Sequence, residues 1–187
     1  MNRIALLLFA LFLTEGLFAQ AFRNVNWGAS IEEVKASEEK KPYLENEETL
    51  VYKVQLAGKE VLLLYNFLPK HGLYSSGYIF EEKHTNKNEY IADYNEVKSL
   101  LTKKYGATIS DKVIWSNDLY KDDPQYYGTA VSVGHLKYGS YWTVEGTDIR
   151  LGLLGDNFEI SMILNYESLK LKKLAEEAEE LKKLKDF

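Results

Sequence analysis

Cysteine is absent from this 187-residue chain. Its absence excludes disulfide bridges, thiolate zinc sites, iron–sulfur clusters, a cysteine nucleophile and a lipid-carrying cysteine at a processed N-terminus. Charge of one sign is also scarce. Lys and Arg number 23 against 28 Asp and Glu, a net charge of -5, whereas affinity for nucleic-acid phosphates comes from clustered Lys and Arg, so no nucleic-acid partner is expected. Beyond the N-terminus no apolar run is long enough to span a bilayer, so no transmembrane span is expected once that segment is removed. Histidine is limited to His71, His84 and His135. None forms a metal-binding pair at helical or hairpin spacing, and Gly152-Leu153-Leu154-Gly155 lacks the Lys and Ser/Thr of a phosphate-binding loop, so no metal and no cofactor is expected.

What is present fits a globular protein, with 45% hydrophobic residues and 27% charged. The N-terminus supplies an address. Arg3 gives a positive start, Ile4 to Leu13 is uninterrupted apolar sequence, and Ala19-Gln20-Ala21 carries small residues at signal-peptidase spacing. Residues 1–21 therefore read as an export signal cleaved after position 19 or 21. The mature chain is expected in the periplasm or outside the cell, as one domain over 22–187. Without disulfides, such a domain is held by its core alone.

Ser30 and Glu33 have the spacing of a capping box, so a short helix starts at Ile31. Strand formers on either side of Ala57-Gly58-Lys59 predict a hairpin, and Leu73 to Glu81 a third strand. Tyr90, Ile91, Tyr94, Val97, Leu101 and Tyr105 recur at helical steps and stop at Gly106, a C-terminal cap. A strand begins at Val113. A polar excursion, Asp118 to Pro124, precedes the apolar stretch Ala130 to Val133. Gly139–Glu145, Asp148–Leu154 and Phe158–Asn165 read as an antiparallel meander. Residues 168–187 form an amphipathic helix with Leu171, Leu174, Ala178 and Leu181 on one stripe, which either docks on its own sheet or offers a dimer seam. The fold class is α+β, an antiparallel sheet with helices on one face.

A repeat is suggested by Glu33-Val34-Lys35 and Lys40-Lys41 recurring as Glu96-Val97-Lys98 and Lys103-Lys104, 63 residues later. Leu50-Val51-Tyr52 and Val113-Ile114-Trp115 match at the same offset. The expected halves are 30–84 and 90–166.

The stretch carrying Phe22, Trp27-Gly28, Ser30 and Glu33-Val34 resembles a class of small exported bacterial proteins of largely unknown function. In them, a tryptophan-glycine pair and a capped glutamate-valine helix precede an antiparallel sheet. The two-module order is also similar to the beta-lactamase-inhibitor-like fold, which includes a small outer-membrane assembly lipoprotein. The resemblance implies a non-enzymatic module acting through contact with another protein, and the missing cysteine implies no lipid anchor.

No nucleophile elbow or facing carboxylate pair stands out, so no catalytic residue is assigned. Asp118, Asp122 and Asp123 depart from the spacing of a calcium loop and read as a solvated acidic loop. The aromatics Tyr126, Tyr127, Tyr138, Tyr141 and Trp142 are the candidate binding residues, because aromatics with polar tips suit a wet face. The expected function is a binding or adaptor module of the bacterial cell envelope whose partner is another envelope protein. The alternatives are a small-molecule or glycan-binding protein, and a hydrolase that would bring His135, or Glu145 and Glu159, into one cleft. An adaptor predicts an exposed aromatic or apolar patch without a deep cavity; a ligand carrier predicts a pocket of several hundred Å³ lined by Tyr and Trp.

Overall fold

The computed structural model describes residues 22–184, and the expected export signal lies outside them. Eight antiparallel strands form one sheet: β1 (Leu44–Glu45), β2 (Thr49–Leu56), β3 (Lys59–Leu68), β4 (Gly72–Phe80), β5 (Ser110–Trp115), β6 (Leu136–Val144), β7 (Thr147–Asp156) and β8 (Glu159–Ser168). Four helices accompany them: α1 (Ile31–Ser37), α2 (Asn88–Tyr105), α3 (Tyr127–Ser132) and α4 (Leu169–Leu184). The α+β reading is correct at this level.

Local chemistry explains most boundaries. The Ser30 hydroxyl accepts from the Glu33 N–H at 3.2 Å while Glu33 accepts from the Ser30 N–H at 2.7 Å, so both ends of the capping box are closed. Gly106, at φ 88, ends α2 with its N–H bonded to Thr102 O. Three hairpins turn on two-residue loops, Ala57-Gly58, Glu145-Gly146 and Asn157-Phe158, with positive φ at both residues. That handedness matches the strand twist. Phe158 is the costly one, a bulky side chain held at φ 69.

The strand order is β1-β2-β3-β4-β8-β7-β6-β5. Two meanders therefore meet at the central β4–β8 pair, where Tyr78 lies opposite Leu164 and Ser76 opposite Tyr166. By position in the sheet β2 answers to β6 and β1 to β5. The 63-residue offset instead places β2 on β5, so the sequence matches do not follow the correspondence of the sheet.

Alternation sorts the side chains. Leu50, Tyr52, Leu63, Tyr65, Tyr78, Trp142, Ile149, Leu151, Leu164 and Tyr166 face one side, where α1, α2 and α3 cover them. Each large apolar side chain buried there contributes about 1.5–3 kcal/mol. Helix α4 turns to the opposite face at one corner. There Leu171, Ala175 and Ala178 are half-buried and Lys172 reaches Glu167 at 3.4 Å and Asp148 at 3.7 Å. The start of the terminal helix thus rests on its own sheet, while Leu174 and Leu181 of the expected stripe remain 38% and 61% exposed.

Candidate functional site

Over the β4–β8 seam the covering layer is incomplete. Helix α2 buries Tyr94, Val97 and Leu101, while Phe22 packs on Tyr65, Tyr78 and Tyr166 at ring-centroid distances of 5.7, 5.6 and 4.8 Å. Between these two coverings lies a cavity of about 340 Å³. Its floor is Tyr78, Leu164, Tyr166 and Ile149, its roof Val97, Leu100, Leu101 and Tyr105, and its rim Arg23, Lys104 and Glu145. The segment preceding α1 is held at this end because the Trp27 indole donates to the Thr147 hydroxyl at 2.9 Å.

The polar atoms around the cavity are arranged around buried phenols. Burial pushes the Tyr166 hydroxyl strongly upward, and the neighbouring Tyr105 adds to the shift, so it stays protonated. Tyr78 is also raised by burial, against the opposing influence of the Arg23 guanidinium beside it. Arg23 makes a two-pronged pair with Glu38 at 2.9 and 3.2 Å, and the Tyr65 hydroxyl donates to the same carboxylate. Lys104 differs. Among the described residues no carboxylate lies within ion-pair reach of it, and its ammonium sits 4.8 Å from the Tyr105 ring centroid.

The five aromatics singled out in the sequence do not form one face. Trp142 is 1% exposed and its indole donates to Gly106 O, closing the end of α2. Tyr138 packs on Tyr94 with centroids 5.4 Å apart. Tyr141 points to the opposite face, where its hydroxyl donates to Asp148. Tyr127 packs edge-on to Trp115 at 5.1 Å and donates to Lys121 O. Tyr126, the most open of the five, leans on Tyr120 in the turn before α3. The cavity phenols Tyr78, Tyr105 and Tyr166 were available in the sequence as inward-facing tyrosines on strands and on the α2 stripe.

His71 lies exposed in the β3–β4 turn, whereas His84 and His135 are half-buried. His84 Nε2 faces Asp93 at 2.6 Å and its Nδ1 faces Glu89 at 3.0 Å, while Lys59 bridges Asp93 at 2.7 Å and Glu96 at 3.0 Å. This network fastens the linker between the two meanders, and the β2–β3 turn, to α2. Burial alone would raise Asp93, but the hydrogen bonds from Lys59 and His84 outweigh it and hold the carboxyl below its ordinary value. His135 tilts against Tyr120 and its buried Nδ1 meets no partner among the described residues. Glu145 and Glu159 are not brought together. They stand at opposite ends of the ten-residue β7, about 30 Å apart at the usual strand rise, and Glu159 pairs with Lys83. Among the described residues no His, Asp and Glu cluster could hold a metal ion, and no helix is long and apolar enough to cross a membrane. No family model matches the chain, and no curated protein or solved structure matches it.

Proposed function

We propose that this chain is an exported binding module of the cell envelope whose central cavity takes a small, largely apolar ligand. The observation that carries the reading is the cavity of about 340 Å³ over the β4–β8 seam, within the size range of small-molecule sites and lined by apolar side chains with a few polar tips. The site moves from the Tyr and Trp surface expected in the sequence to the phenols of Tyr78, Tyr105 and Tyr166. Holding a ligand there requires no reaction centre.

A second reading rests on a separate observation. On the face opposite α2, Leu62, Ile79 and Ile163 form an apolar row across β3, β4 and β8, with Ile163 37% exposed and Leu154 42%. That row favours contact with another envelope protein, the role implied by the resemblance to small exported modules and to the beta-lactamase-inhibitor-like fold. A molecule of this kind would hold a ligand on one face and a partner on the other.

The experiment is native purification of the exported chain followed by mass spectrometry of co-purifying small molecules. Leu100→Trp is the matched variant: Leu100 is 44% exposed at the cavity roof, so an indole fits the helix surface while occluding the space. A bound molecule retained by the wild type and lost in Leu100→Trp supports the reading. An identical profile for both proteins overturns it.

A further inference from the structure

We infer that the cavity over the β4–β8 seam is built for a monocarboxylate with an unbranched apolar body of about a dozen non-hydrogen atoms, its carboxylate at the Lys104 rim. This rests on the binding reading above and goes further by naming the ligand's chemistry. The size follows from the volume: a water-sized heavy atom occupies roughly 30 Å³, so 340 Å³ holds about eleven. The body follows from the walls. Phe22, Leu56, Val97, Leu101, Ile149 and Leu164 make much of the lining apolar, with the charged groups of Arg23, Lys104 and Glu145 at the rim, an arrangement that suits an apolar body with one polar end better than a sugar or a peptide.

The head group follows from the balance of charge and protons at the rim. Arg23 is already committed to Glu38, whose side chain is only 7% exposed, so that pair is internally neutral. Lys104 is the lining cation with no carboxylate in ion-pair reach among the described residues, and Glu145 is an exposed acid on the β6–β7 turn. The phenols in the lining are engaged with their neighbours, Tyr166 hydrogen-bonded with Tyr105 and Tyr78 with Arg23, so Lys104 is the charged donor at the rim. A carboxylate brings only acceptors, matching the Lys104 ammonium in a charge-assisted bond. An alkyl ammonium brings only donors and a second positive charge. A primary alcohol leaves Lys104 as it was.

The test is titration calorimetry of the mature protein with three probes of equal chain length: decanoate, 1-decanol and decyltrimethylammonium. Decanoate is expected to bind about tenfold more tightly than decanol, as one charge-assisted contact at a wet rim provides, and decyltrimethylammonium weakest of all. Lys104→Gln should remove the preference for decanoate and leave decanol unchanged. Glu145→Gln should strengthen decanoate severalfold, because it removes the opposing charge. Decanol binding as tightly as decanoate, or the ammonium binding tightest, overturns the carboxylate assignment while the cavity reading stands. If none of the three binds, the carboxylate assignment falls; if wild type and Leu100→Trp also give identical co-purification profiles, the cavity reading falls with it. If Lys104→Gln weakens decanol and decanoate alike, Lys104 acts through the fold and the head-group argument is refuted.

Discussion

Gly77→Ala tests whether the β4–β8 seam holds the two meanders together. Gly77 lies opposite Asn165 in the middle of that pairing. A Cβ there would come within 2.4 Å of the Leu164 carbonyl oxygen and 3.2 Å of the Asn165 Cα, both backbone atoms that no rotamer change can move. Ordinary contact needs nearly 1 Å more, so the strands must separate until the neighbouring ladder bonds stretch out of range. Overpacking costs about 1–3 kcal/mol and each weakened ladder bond about 1 kcal/mol, giving a total of about 2–4 kcal/mol. For a chain of this size that lowers Tm by about 5–15 °C. The control is the same change at Gly139 of β6, where nothing lies within 4 Å of the added methyl. Its effect should stay within about 0.5 kcal/mol. Urea and thermal unfolding of both variants supply the comparison. A Gly77→Ala protein as stable as wild type, or a Gly139→Ala protein equally damaged, would refute the argument that close backbone approach at the seam is essential. Tyr78 and Leu164, which face each other across the same strands, form the cavity floor, so Gly77→Ala should weaken decanoate binding too.

Three further outcomes follow from polar atoms. The Tyr52 hydroxyl is buried without a hydrogen-bond partner among the described residues, so Tyr52→Phe should stabilise by about 1 kcal/mol; Tyr94→Phe, which cuts a hydroxyl bonded to Ser140 at 2.6 Å, should destabilise by a similar amount in parallel urea melts. Trp27→Phe removes the bond to Thr147 and should cost about 1 kcal/mol, with faster proteolysis of the segment before α1 as the readout. Acid is the third. Burial would raise Asp148, yet Tyr141, Thr143, Arg150 and Lys172 together lower it; Asp93 is held low in the same way, and Asp111 is lowered first by the Ser140 hydrogen bond. A folded-state value below the unfolded one gives stability that is complete above the unfolded value and is lost as pH falls through the folded one, so urea midpoints should drop below about pH 4. An Asp148→Asn protein should show a shallower acid dependence, and an unchanged slope would refute the assignment.

The helices and hairpins were legible in the sequence because their signals are local. Ser30 and Glu33 close a capping box within one turn, and Ala57-Gly58 and Glu145-Gly146 carry turn chemistry that needs no tertiary information. The stretch Ala130 to Val133 was harder. Its apolar residues belong to α3, a six-residue helix too short to show a period, and its position depends on Gly128 lying against the Lys87 backbone, where a Cβ would come within 2.2 Å. The repeat register rests on weaker signals for a related reason. Helix ends rich in Lys and strands opening on apolar pairs recur in any α+β chain, whereas the β4–β8 pairing that organises the halves joins residues nearly a hundred positions apart.

The binding residues were the least legible part, and the reason is geometric. Alternation along β6 already required Tyr141 and Trp142 to face opposite sides, so a run of aromatics in sequence is dispersed by the pleat. Aromatics that do meet come from separate elements: Phe22 before α1, Tyr78 on β4, Tyr105 on α2 and Tyr166 on β8. One sign of the cavity was nonetheless available. The α2 stripe extends from Tyr90 to Tyr105, but only Tyr94, Val97 and Leu101 are buried, and at its C-terminal end Leu100, Lys104 and Tyr105 stand over the space instead of filling it. The stripe residues that are not fully buried still touch the core, as Tyr105 does at Tyr166, but they leave space beside them. Beside inward phenols on a central seam, that space is lined by side chains that also serve the core.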